Sequence, residues 1–122
     1  MSSLQAALRQ FLAVEGVRTA TIIDMATGMI VRSVGKPDPD LPATAVCVAD
    51  EARAVQDALG AGRSDGELVE IATVTGSRLQ VSRILLGRPA PGLMLFVDLE
   101  RGKSNLGLAG LQISQLAPAV LA

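Results

Sequence analysis

Residues 93 to 99 read Leu-Met-Leu-Phe-Val-Asp-Leu, apolar at every position but Asp98. A strand wetted on one face alternates apolar with polar residues, so a run this uniform belongs in the middle of a sheet with both faces covered. Any fold open to the chain must therefore place strands beside this segment and helices above and below it. The neighbouring sequence supplies both. "RTATIID" (18–24) and "GMIVRSV" (28–34) are rich in β-branched residues and are separated by "MATG", which reads as a hairpin. Asp24 is placed to accept from backbone amides of that turn, and Gly28 to take a positive φ. "ELVEIAT" (67–73) and "RLQVSRILL" (78–86) form a second pair around Thr75-Gly76-Ser77, and the breaker "GRPAPG" leads into the apolar run.

Three helices complete the order. Leu4, Ala7, Leu8, Phe11 and Leu12 repeat at helical spacing, with Ser2 and Gln5 as a capping box and Gly16 as a stop. "GKPDPDLP" (35–42) forms a loop. From Ala43 to Leu59, the residues Ala45, Val48, Ala49, Ala52, Val55 and Leu59 make a stripe, which "GAGRSDG" ends. A last helix runs from about Ser104 to Pro118, its core stripe being Leu106, Ala109, Gly110, Ile113 and Ala117. Strands joined by short turns pair antiparallel. The expected fold is thus α+β, a five-stranded antiparallel sheet in the order helix, two strands, helix, three strands, helix, with helices on both faces. With 122 residues, 49 % of them hydrophobic, the chain fits one domain over residues 1–122.

Composition restricts the chemistry. The chain has no His, which removes the commonest general base, nucleophile activator and catalytic zinc ligand. Eleven basic and twelve acidic residues are dispersed along it, leaving no footprint for nucleic acid, and two Phe without Trp or Tyr provide almost no stacking surface. Asp38, Asp40, Asp50, Glu51, Asp65, Glu67 and Glu70 lack metal-ligand spacing. The single Cys47 calls for no oxidising compartment, and no leader or membrane-spanning run is visible. We expect a cytoplasmic protein that is not an enzyme, carries no cofactor or metal, and neither binds nucleic acid nor inserts into a membrane.

Gly102-Lys103-Ser104 is the one motif with a chemical ring to it, since the phosphate loop of nucleotide triphosphatases ends in these letters. That loop also requires a Gly five residues earlier to wrap backbone N–H groups around phosphates. Val97 stands there, inside the predicted strand. The tripeptide is expected to turn the chain into the last helix, with Ser104 or its neighbour as the cap. Arg101 and Lys103 then sit at the positive end of a helix dipole, where cations are disfavoured by about 0.3–1 kcal/mol each. Either Asp98 and Glu100 neutralise them, or an acidic partner docks there.

Other residues point to contact with another chain. Opposite its stripe, the second helix shows Cys47, Glu51, Ala54 and Ala58, where the small Cys47, Ala54 and Ala58 either admit a neighbouring helix or belong to a solvated Ala-rich face. Leu108 and Leu111 make the last helix apolar on a second side, which calls for a second neighbour. "ELVEIAT", with Leu68, Glu70 and Ala72 at alternate positions, reads as an edge strand open to pairing. Arg83 interrupts the alternation of Leu79, Val81 and Leu85, as a register break or a snorkelling side chain.

The stretches "LRQFLAVEGVRTATIIDMATGMIV" and "LMLFVDLERGKSNLGLAGLQI" resemble the opening and closing of the roadblock family, named for a dynein light chain, and the likeness runs over about residues 4 to 117. The "MATG" hairpin is longer than the tight turn common there. The resemblance implies a sheet with the first and last helices on one face and the second on the other. It implies homodimers made by pairing second helices and third strands, here Cys47, Glu51, Ala54, Ala58, Leu68, Glu70 and Ala72. It also implies a non-catalytic regulator or scaffold for a small Ras-like GTPase, sometimes with a sensor kinase, with Arg101, Lys103 and Asn105 as partner contacts. A small-ligand sensing module is the alternative, and a nucleotide-binding enzyme built on Gly102-Lys103-Ser104 the remoter one.

Overall fold

The structure, a computed structural model, describes residues 3–60, 68–86 and 92–121. Ser2, most of "GAGRSDG", Glu67 and most of "GRPAPG" lie outside the described residues, and so do the capping box and the two breakers read there. Helix α1 (Ser3–Gln10) continues as one 3₁₀ turn, Phe11–Ala13. Strands β1 (Val17–Asp24) and β2 (Ile30–Gly35) precede α2 (Leu41–Gly60), and β3 (Glu70–Val74), β4 (Arg78–Leu86) and β5 (Leu93–Glu100) follow it. A 3₁₀ turn at Arg101–Lys103 leads into α3 (Leu106–Leu116), which ends in a further 3₁₀ turn, Ala117–Leu121.

The strands form one antiparallel sheet in the order β2-β1-β5-β4-β3, so the apolar run 93–99 is its central strand. Residues 94 to 99 are all buried, as a strand covered on both faces requires. Odd residues of β5, Leu95, Val97 and Leu99, pack with Leu8 and Phe11 before β1 and with Ala109 and Ile113 of α3. Even residues Met94 and Phe96 pack with Ile23, Met25 and the α2 stripe Leu41, Ala45, Ala49 and Ala52. The first and last helices thus share one face of the sheet, and α2 lies on the other.

Turn chemistry sets where the elements begin. Asp24 accepts from the Ala26 N–H at 3.0 Å, and the Gly28 N–H reaches the Asp24 carbonyl at 2.7 Å. Gly28 has φ +77°, as the turn needs. Because Gly28 and Met29 complete this turn, β2 starts two residues later than the pattern predicts. Helix α2 starts two residues earlier, since Pro42 needs no donor in a first turn. β3 starts at Glu70, not 67, although the Ile84 N–H still reaches the Val69 carbonyl at 2.9 Å.

The stripe assigned to the last helix needs one correction. Ala109, Ile113 and Ala117 are buried, whereas Leu106 is 47 % exposed. Its spacing is right for the core side, but Leu106 borders an open groove with Val74 and Leu79.

Candidate interaction surfaces

The outer face of α2 is built as its spacing predicts. Cys47, Glu51, Ala54 and Ala58 are all exposed, while Ala45, Ala49 and Ala52 face the sheet. Arg53, which could have obstructed this face, is occupied: its guanidinium pairs with Asp50 and donates to the Met25 and Ala26 carbonyls of the first hairpin. The helix is thereby fastened to the β1–β2 turn, and its row of small side chains is left open to solvent.

β3 lies at the sheet edge, bonded to β4 alone among the described residues. Its exposure alternates, with Ile71 and Thr73 half-buried and Glu70, Ala72 and Val74 exposed. Ile71 belongs to the α2-side core, where Leu68, just before the strand, also packs. Glu70 is engaged within the chain. Arg83, directly opposite on β4, places Nη1 3.2 Å from its Oε1 and 3.2 Å from Ser114 Oγ on α3. Arg83 is therefore neither a register break nor a free snorkelling chain but a tie between the edge strand and the last helix. Among the interface residues read from sequence, the α2 set shares one exposed face, and Leu68, Glu70 and Ala72 lie along the β3 edge with different environments.

The segment "DLERGKSN" turns the chain from β5 into α3. Val97 is buried in the central strand, paired with Ala20 and Val81, so nothing resembling a phosphate cradle precedes Gly102. Ser104 Oγ donates to the Glu100 carbonyl at 2.7 Å. Gly16, with φ +90°, makes room for it: a Cβ there would lie 2.0 Å from Ser104 Oγ. The cap is the neighbour Asn105, whose side-chain oxygen accepts from the Leu108 N–H at 3.0 Å. Arg101 donates to the Thr75 carbonyl at 3.0 Å, anchoring this turn to the β3–β4 hairpin. Arg101, Lys103 and Asn105 are all exposed, Arg101 bonded to Thr75, Lys103 paired with Glu100 at 3.2 Å and Asn105 committed to the helix start.

Two carboxylates here are shifted in opposite directions. Glu100 is held below its ordinary range by the hydrogen bond and charge of Lys103, with a further contribution from Arg18, each 3.2 Å away. Asp98 is pushed up by burial, which outweighs the opposing pull of Arg78, 2.8 Å from its Oδ2. Its Oδ1 and the Oγ1 of Thr19, directly opposite on β1, are buried with no hydrogen-bond partner among the described residues. The pair had no sequence signal, since it depends on the β1–β5 register.

A groove of about 360 Å³ lies where the end of α1 meets α3 and is lined by Gln10, Ala13, Val14, Gln112, Gln115 and Leu116. It offers amides and apolar carbons but no charged or aromatic group. Among the described residues no three of the His, Cys, Asp or Glu side chains could hold a metal ion, and no helix is long and apolar enough to cross a membrane.

No family model matches the sequence, and no curated protein matches it. Solved structures do match the fold. A Roadblock/LC7 domain from Streptomyces avermitilis superposes with a TM-score of 0.80 at 15 % identity, over 98 % of this chain and 95 % of that one. MglB in a tetrameric arrangement gives 0.78 at 22 % identity, over 96 % and 84 % of the two chains. The gliding protein MglB from Thermus thermophilus gives 0.76 at 21 %, over 97 % and 85 %. The order and antiparallel pairing of the five strands, with α2 opposite α1 and α3, are thus those of a Roadblock/LC7 fold.

Proposed function

We propose that the protein is a non-enzymatic, homodimeric regulator or scaffold that binds a small Ras-like GTPase in a bacterial polarity or signalling system. The observation that carries this reading is the outer face of α2. Cys47, Glu51, Ala54 and Ala58 lie exposed in one row, and β3, bonded to β4 alone among the described residues, lies at the sheet edge. Small side chains admit a second helix closely, and an edge strand accepts a second strand, so one two-fold axis satisfies both. Among the structural neighbours are MglB proteins, one in a tetrameric arrangement, which supports self-association, and one described as a gliding protein, which supports a role in such a system.

The mechanism is contact. A preformed dimer surface holds one conformation of the GTPase, and shifts it only by its differential affinity for the two nucleotide states. Arg101 and Lys103 are the proposed contacts to this partner, with Asn105 holding the helix start beside them. A sensor kinase of the same system is a further candidate partner, and the cytoplasm is the compartment in which such a system works. A small Ras-like GTPase from the same genome provides the test, through its binding and GTP turnover with and without the protein. Binding that differs between the GDP and GTP forms is expected, and no binding in either form contradicts the reading.

A further inference from the structure

The geometry points to a second docking surface: the groove between the β3–β4 hairpin and the start of α3 takes a short acidic segment of a partner protein, anchored by an apolar side chain. This deepens the partner contact assigned to Arg101 and Lys103, but it requires no dimer. The groove encloses about 300 Å³ and is lined by Val74, Leu79, Arg101, Ser104 and Leu106. Val74 is 51 % exposed and Leu106 is also open to solvent, although Leu106 occupies the core-facing side of its helix. A partly exposed apolar floor of this kind gains free energy by covering.

Charge selects what covers it. Arg101 is fixed at the rim by its bond to Thr75, and Lys103 is 70 % exposed in the same turn. The only carboxylate of that stretch outside the sheet core, Glu100, is already shared between Lys103 and Arg18. The first turn of α3 contains no acidic residue, and residues 104 to 122 carry no charged side chain, so the positive end of the helix dipole is not offset from within the helix. An apolar floor beneath a cationic rim suits an apolar side chain flanked by carboxylates. A polynucleotide would find no aromatic ring to stack on and would leave the floor uncovered. The groove lies on the α1 and α3 face of the sheet, opposite α2.

A random twelve-residue peptide display library panned against the intact protein tests this, with selected peptides measured by fluorescence anisotropy. We expect enrichment of Leu, Ile, Val or Phe flanked by Asp or Glu. Reversing the rim with Arg101→Glu and Lys103→Glu together, or roughening the floor with Leu106→Ser, is expected to weaken binding by about tenfold or more. These side chains are exposed, so the fold is retained, and circular dichroism verifies it. Ala54→Arg is expected to leave peptide binding unchanged. Failure to enrich such peptides, equal binding to the groove variants, or equal displacement by heparin or phosphatidylserine vesicles would overturn the assignment. Light scattering of the same proteins reports on the dimer separately, so either reading can fail alone.

Discussion

Gly28 and Val46 meet so closely that a Cβ on the glycine would lie 2.8 Å from the Val46 Cα. The β1–β2 turn and the first half of α2 are therefore in backbone contact, and the outer face of α2 owes its position to this approach. Gly28 also holds φ +77°, which an L-residue adopts only under strain. Gly28→Ala should destabilise the protein by about 1–3 kcal/mol in urea unfolding, combining the strain with a displaced helix. Gly76→Ala, where a Cβ meets nothing within 4 Å, is the control and should change stability by less than about 0.5 kcal/mol. Equal effects of the two substitutions would refute the close approach.

Asn105 caps α3, so its role at the partner surface can be separated from its role in the fold. Asn105→Ala should lose about 1 kcal/mol of stability, and Asn105→Asp should retain most of it, because the carboxylate accepts the same bond. Lys103→Ala should leave the urea midpoint nearly unchanged, and Arg101→Ala should lose about 0.5–1.5 kcal/mol with its bond to the Thr75 carbonyl. An Ala variant of Asn105 as stable as the wild type would rule out the cap.

The burial of Asp98 makes a signed prediction about pH. Its pKa is raised in the folded protein, so between the ordinary value of 3.8 and the raised value the native state binds more proton than the unfolded chain. Stability from this group therefore falls as pH rises through that window, and the penalty persists above it. Glu100, with a lowered pKa, works in the opposite sense: its contribution is present above 4.5 and is lost as pH falls through the lowered value. Asp98→Asn should remove the first effect and leave the second, so its loss of stability on acidification should be steeper than that of the wild type. Melting temperatures measured from pH 7 to pH 3 would check this, and parallel profiles would contradict it.

Much of the fold was legible because single segments carried it. The run at 93–99 announced a strand buried on both faces, and Leu4, Ala7, Leu8, Phe11 and Leu12 announced a helix with one face buried. What sequence could not give depends on register and on where elements end. Arg83 and Glu70 are partners across a hairpin, and Thr19 and Asp98 face each other across nearly eighty residues, which no local periodicity reports. Leu106 has core spacing, but it lies on an open groove beside Val74 and Leu79, which helical periodicity does not report. The small-residue face of α2 was visible as spacing, and the structure added that Arg53 is drawn off it by Asp50 and the hairpin carbonyls.

Light scattering of the purified protein beside Ala54→Arg tests most directly whether the protein acts through the outer face of α2, pairing there with a second copy. Ala54 is exposed, so Arg there leaves the chain folded while its length forces two apposed helices apart. A wild-type mass twice the 12.6 kDa of one chain, falling to one chain in the variant with circular dichroism unchanged, is the predicted result. A monomeric wild type, or a variant that stays dimeric, would contradict it.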